Sequence, residues 1–208
     1  MILRKDKIEF PSYNLTTNDG IIALGGDLSE ERLIYAYKNG IFPWFSEGDP
    51  IVWYCPHERM VLFPDQLKVS KSMRKVIKKN EFKITENKAF KEVIYNCKNI
   101  TRSDGLGTWI TGDMEKAYIN LHQKGIAKSI EIWLNNELVG GLYGLEINTI
   151  FCGESMFSKV SNASKLAFIH LARNKNYTLI DCQIYNEHLE SLGAKEVDRN
   201  TFLNILKA

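Results

Sequence analysis

The sequence predicts a mixed α+β domain preceded by a small N-terminal lobe. Three observations carry that prediction. Apolar residues recur at the helical period between Ala89 and Lys124, and the period changes to alternation from Ser129. The alternating runs "SIEIWL", "LVGGLYGLEI" and "TIFCGESMF" are separated by turns of a few residues, too short for crossover connections, so they form an antiparallel meander. Upstream, the aromatic, proline-punctuated stretch "IFPWFSEGDPIVWYCPHERMVLF" follows neither period and reads as a rigid loop.

In chain order, "LSEERLIYAYKNG" is a helix with Ser29 as N-cap and Gly40 beyond its end. With the rigid loop it forms the small lobe, residues 1–63, and residues 64–208 form the larger domain. That domain opens on a basic amphipathic helix. Lys68, Lys71, Lys75, Lys78 and Lys79 share one broad face, with Arg74 beside them and Val69, Met73, Val76 and Ile77 as the apolar counterpart. A short strand, "FKIT", leads to a helix with Ala89, Phe90, Val93, Ile94 and Cys97 on one stripe. The next helix, Asp113 to Lys124, buries Met114, Ala117, Tyr118 and Leu121, and "TRSDGLGTWIT" between the two is a glycine-bearing loop that presents Trp109. After the meander come the helix "SNASKLAFIHLARNK", the strand "LIDCQ", and a short helix bounded by Asn186 and Gly193.

Composition excludes several classes. The 208 residues, 44% hydrophobic, suffice for one sizeable domain or a large domain with a small one. No apolar run approaches the roughly 18 residues of a membrane span, and "MILRKDKIEF" lacks the apolar core of a signal peptide, so a cytoplasmic protein is expected. Cys55, Cys97, Cys152 and Cys182 show no metal-ligand spacing and read as reduced core residues. The four histidines suggest no ligand set or triad, so neither metal nor cofactor is expected. A net charge of +2 does not announce a nucleic-acid binder, but the basic helix is a candidate phosphate-contacting stripe.

Two acids stand where core is expected. Asp181 and Gln183 lie two residues apart on a strand and so share one face, with Ile180 and Cys182 on the other. Glu154 sits on a strand expected to neighbour theirs. A buried polar group is most often only a satisfied structural partner. The chemical reading is an acid-base or cation-binding cluster, with Gly153 letting a substrate pass close to the strand backbone.

The element order is that of the GNAT-like acyltransferase fold, in which strands splay around an acyl donor. Acyl-CoA enzymes of that fold hold pyrophosphate on a glycine-bearing loop before the post-meander helix. This chain has "SKVSNASK" there, without glycine, which points to a different donor. The blocks "LGGDLS", "GIFPWFSEGDPIVWYCP", "GTWIT", "LVGGLYG", "FCGESMFSKVSNASK" and "LIDCQ" with "HLESLGA", in this order, resemble the leucyl/phenylalanyl-tRNA-protein transferases. The similarity runs from about Phe10 to Leu206.

The resemblance implies transfer of leucine or phenylalanine, with methionine a further candidate, from aminoacyl-tRNA to proteins beginning with arginine or lysine. The product is a degradation signal of the bacterial N-end rule. It implies no CoA and no metal. It further implies catalytic roles for Asp181, Gln183 and Glu154, and a donor amino-acid pocket at Leu142, Gly153, Met156, Leu171 and Ile180. An adenosine cradle is implied at Trp44, Trp109 and Tyr118, and tRNA contacts at Lys68, Lys71, Arg74, Lys75, Lys78 and Lys79. The chain departs from the family pattern at Tyr54, Cys55, Lys68 and Lys159, and Leu171 stands where a pocket phenylalanine is expected. A monomer is expected. Two alternatives stay open: a GNAT-type N-acyltransferase using acyl-CoA, and a non-catalytic RNA-binding relative.

Overall fold

A computed structural model describes residues 1–100, 109–174 and 176–207. The expected loop "TRSDGLGT" therefore lies outside the described residues. In chain order the elements are β1 (Ile2–Leu3), β2 (Ile21–Gly25), α1 (Glu30–Lys38), β3 (Phe42–Pro43), β4 (Val52–Tyr54) and β5 (Glu58–Leu62). There follow α2 (Lys71–Lys79), β6 (Lys83–Glu86), α3 (Phe90–Asn99), α4 (Gly112–Gln123), β7 (Ala127–Leu134), β8 (Glu137–Ile147) and β9 (Ile150–Ser158). The chain ends with α5 (Ala163–Asn174), β10 (Leu179–Gln183), α6 (Glu187–Glu190), β11 (Lys195–Asp198) and α7 (Arg199–Lys207).

The strands form two sheets, one ordered β1-β2-β4-β3 and the other β11-β5-β10-β9-β8-β7-β6. Strand β5, the last of the first 63 residues, belongs to the larger sheet, between β11 and β10. β7, β8 and β9 pair antiparallel in sequence order. The β7–β8 turn is Asn135-Asn136 with both φ values positive, at 51° and 66°, the mirror-image turn that suits the twist of a hairpin. The next turn has Asn148 at φ 54°. Asparagine tolerates this region because its short polar side chain bonds locally. β9 and β10 run parallel, since α5 carries the chain back between them.

Alternation divides the apolar residues between two faces of the large sheet. Leu179, Val61 and Cys152 join one core with α1, α3, α4 and α7, while their neighbours Ile180, Leu62 and Phe151 join a second core with α2, α5 and α6. Trp53 of the small sheet is wholly buried in the first core. The helix starts differ from the sequence reading in detail. Ser29 occupies the N-cap of α1 but makes no side-chain cap bond, whereas Ser70, Thr111 and Asn186 each accept a backbone N–H at their helix starts.

The basic helix is shorter than expected at its start. Lys68 precedes α2 and its backbone N–H donates to Leu192 O, so it does not share the helical face. The reason is Ser70, whose Oγ accepts from Met73 N and begins the helix at Lys71. Lys71, Arg74, Lys75, Lys78 and Lys79 are all exposed, with Met73 buried beneath.

Gly144 is fixed by close approach. A Cβ there would lie 2.2 Å from Cys152 O and 2.6 Å from the Phe151 ring. Gly144→Ala should destabilise the fold by about 1–3 kcal/mol, because strand backbone has to move. Urea melts of wild type and variant measure this.

Candidate active site

The site forms where β9 and β10 part. Their pairing runs through Asp181↔Cys152, and both strands are then irregular. Tyr143 and Gly144, adjacent on β8, face Ser155 and Gly153, so Glu154 is an inserted residue of β9. Asp181 and Gln183 face Val61 and Met60, adjacent on β5, so Cys182 is inserted in β10. A bulge re-aims the side chains beside it. Here two bulges on neighbouring strands turn Glu154 and Gln183 toward each other, and Gln183 Nε2 donates to Glu154 Oε1 at 2.7 Å.

Gln183 has φ 66°, in the left-handed region that a glutamine adopts only at a cost of about 1–3 kcal/mol. Asp181 holds it there. Its Oδ1 accepts the Gln183 backbone N–H at 2.9 Å. The Asp181 carboxylate thus orients the Gln183 backbone, while the Gln183 side-chain amide is bonded to Glu154. Gly153 would place a Cβ 3.3 Å from Asp181 O, so the strand spacing at the parting is tight.

Asp181 is wholly buried and paired with Arg59 of β5, itself 2% exposed. The pair is two-pronged, Nε to Oδ1 at 2.8 Å and Nη2 to Oδ2 at 2.7 Å. Arg59 Nη1 donates to Gly40 O at 3.1 Å, and its guanidinium lies 4.6 Å from the Phe42 ring and 4.7 Å from the Phe202 ring. Burial works against the Arg59 charge, but the Asp181 carboxylate outweighs it and raises the pKa.

Among the described residues, none gives the buried Glu154 such a cation. Tyr37 of α1 donates to Oε1 at 2.6 Å, the Tyr118 hydroxyl of α4 lies 3.0 Å from Oε2, and the two phenol oxygens are 2.5 Å apart. Burial pushes its pKa up to about 8, with the nearby Asp181 charge adding to the rise and the hydrogen bonds of Tyr37, Tyr118 and Gln183 opposing it. Burial also raises both phenols, as does the Glu154 charge.

Residues 61–207 match the family model described as leucyl/phenylalanyl-tRNA protein transferase, and residues 26–57 match the model of that transferase's N-terminal domain. The chain belongs to this family. It is similar to the leucyl/phenylalanyl-tRNA–protein transferase of Flavobacterium psychrophilum, 59% identical over 204 residues and 97% of each chain. The same name is carried by relatives from Flavobacterium johnsoniae, 58% identical over 96% of this chain and 95% of that one, and Syntrophus aciditrophicus, 48% identical over 96% and 85%. A solved structure of a functionally unknown conserved protein from Staphylococcus epidermidis aligns over 86% of this chain and 68% of that one, at 8% identity and TM-score 0.49. At that score it carries no argument.

As a family member, the chain has its expected residues in three places. Asp181, Gln183 and Glu154 come together as above. Leu142, Met156, Leu171 and Ile180 pack in the second core, on the α5 face of the large sheet, with Met156 only partly covered. Trp44 is 36% exposed and Trp109 partly buried against the first core. Tyr118 is a correction. It is wholly buried, its hydroxyl is engaged with Tyr37 and Glu154 and its ring meets Tyr143 edge to face, so neither ring face is open to a base. Among the described residues no group of three or more His, Cys, Asp or Glu is placed to hold a metal, and no helix is long and apolar enough to cross a membrane.

Arg59 and Tyr37 escaped the sequence reading. The signal for Arg59 was a lone cation alternating with Val61 in "ERMVL", and for Tyr37 a hydroxyl-bearing aromatic on the apolar stripe of α1. Arg59→Met should lose about 3–5 kcal/mol of stability by leaving Asp181 buried and unpaired. Adding Asp181→Leu should restore most of that loss in chemical denaturation, since an apolar pair replaces a charge pair.

Proposed function

We propose that this enzyme moves leucine or phenylalanine, and methionine as a further donor, from aminoacyl-tRNA to the α-amine of proteins beginning with Arg or Lys. The new peptide bond would create a degradation signal. One observation carries the reading within this family: a buried Glu154, facing no cation among the described residues, bridged to Gln183 at the parting of β9 and β10. An acceptor that brings a cationic side chain and an amine supplies what that carboxyl lacks.

The chemistry asks little of the protein. An aminoacyl ester is already activated, so the needs are an unprotonated amine, alignment, and a partner for the developing oxyanion. The α-amine has a pKa of about 8. The Gln183 amide gives its NH₂ to Glu154, which leaves its carbonyl oxygen as the acceptor for an N–H of the attacking amine. Asp181 fixes the Gln183 backbone, and no cofactor enters. Leu142, Met156, Leu171 and Ile180 would take the donor side chain, reached past Gly153 through the gap between β9 and β10. Trp44 and Trp109 would cradle the terminal adenosine, where stacking contributes about 1–3 kcal/mol per base.

The large domain is read as GNAT-like. The antiparallel run β6 to β9, the return through α5 and the parting of β9 from β10 support that reading. Residues 1–63 form the small lobe, its last strand lent to the large sheet, and 64–208 the catalytic domain. The enzyme works as a cytoplasmic monomer.

The test uses tRNA charged with labelled leucine, phenylalanine or methionine and peptides beginning with Arg, Lys or Ala. Label should enter the first two peptides alone. Transfer only from acyl-CoA, or tRNA binding without transfer, would overturn the reading. Gln183→Ala should slow single-turnover transfer by about a hundredfold or more while donor binding holds. Replacing Lys71, Arg74, Lys75 and Lys78 with alanine should weaken tRNA binding and flatten its salt dependence by roughly one log-log unit per lost phosphate contact. Transfer from phenylalanyl-adenosine should survive in that variant.

A further inference from the structure

Three oxygen-to-oxygen contacts close a ring at the site: Tyr37 to Glu154 Oε1, Glu154 Oε2 to Tyr118, and Tyr118 to Tyr37, at 2.6, 3.0 and 2.5 Å. Each contact needs one hydrogen. The two phenols supply two, so the third sits on the carboxyl. Oε2–H then donates to the Tyr118 oxygen, Tyr118 to Tyr37, and Tyr37 to Oε1, which also accepts from Gln183 Nε2. With Glu154 ionised, two phenol hydrogens serve three contacts, so one pair of oxygens, the phenols at 2.5 Å or Tyr118 and Oε2 at 3.0 Å, is left facing without a hydrogen between them, a repulsive contact.

The charges around the ring agree with this count. The cation nearest in role, Arg59 of β5, is consumed by Asp181 of β10, whose negative charge faces Glu154 from the side. Tyr37 comes from α1, Tyr118 from α4 with Tyr143 of β8 against its edge, and Cys152 lies on the same strand as Glu154. Among the described residues, the Glu154 carboxyl meets neutral donors and the Asp181 charge, surroundings in which a buried carboxylate is costly.

We propose that Glu154, closed in a ring with the positioning residues Tyr37 and Tyr118, carries a proton while the site is empty, and that the acceptor's cation takes the place of that proton. This rests on Glu154 being the seat of the acceptor's charged group. On binding, the O–H bond of Glu154 breaks, the proton leaves to solvent, and the carboxylate keeps the electron pair and faces the cation. An acceptor without a cation has nothing to exchange for the proton. Selectivity for a basic first residue then follows from charge replacement as well as from pocket shape.

Carbon-13 NMR of carboxyl-labelled glutamate tests this, with the Glu154 resonance assigned by its loss in Glu154→Gln. In the free protein Glu154 should be neutral at about pH 6.5 and titrate near 8, its raised value. A Glu154 already ionised at about pH 6.5 overturns the proposal, whatever the transfer assay gives. Tyr37→Phe, which removes a donor to Oε1, should raise the midpoint by about one pH unit or more; an unmoved or lowered midpoint denies Tyr37 its place in the ring. Saturating argininamide at about pH 6.5 should turn the signal to the ionised form, and its affinity should increase about tenfold for each unit by which the pH is raised toward 8 in the wild type. Glu154→Gln, shaped like the neutral acid, should lack that slope. A Glu154 that is neutral when free and stays neutral with argininamide bound overturns the exchange and the acceptor seat together, an outcome distinct from failure of tRNA-dependent transfer.

Discussion

The buried pair of Arg59 and Asp181 is the constraint on which the remaining geometry depends. One guanidinium meets a carboxylate from β10, a carbonyl from Gly40 after α1, and rings from β3 and α7. Three parts of the chain remote in sequence, at Gly40 and Phe42, at Asp181 and at Phe202, therefore converge on one planar group. A buried pair of this kind contributes modestly to net stability, because desolvation offsets much of the attraction. Its value lies in direction: the planar fork admits one orientation of Asp181, and that orientation fixes the Gln183 backbone.

Two acids on adjacent strands thus meet different fates. Asp181 has its charge matched inside the fold. Glu154 has hydroxyls and an amide, which can hold either protonation state but do not supply a charge. Burial separates their behaviour further, since it penalises the unmatched anion most. One carboxyl is structural in its commitments, and the other keeps an unmet demand that only a ligand can satisfy.

Much of this was legible in the sequence because it is local. The meander, its asparagine turns and the basic helix all follow from spacing of a few residues, whereas the shared face read for Asp181 and Gln183 assumed an alternation that the inserted Cys182 breaks. What was not legible is long-range. Arg59 finds Asp181 across 122 residues and Tyr37 finds Glu154 across 117, and no period announces such a pairing. Family resemblance carried Tyr118 to the adenosine and helical spacing carried Lys68 to the helix face, where core burial and the Ser70 cap decide otherwise. The inserted residues Glu154 and Cys182 escaped because strict alternation has no place for a bulge.

Helix α7 gives the site a backstop. Phe202 closes over the Arg59 guanidinium, and Leu203 presses against Gly40, where even an added Cβ would come within 2.7 Å. One of the two ring faces that meet Arg59 is thus carried by a helix outside the sheet. A fault in how α7 packs would reach the Gln183 backbone through Arg59 and Asp181, with no change in the residues of the strands that bear them.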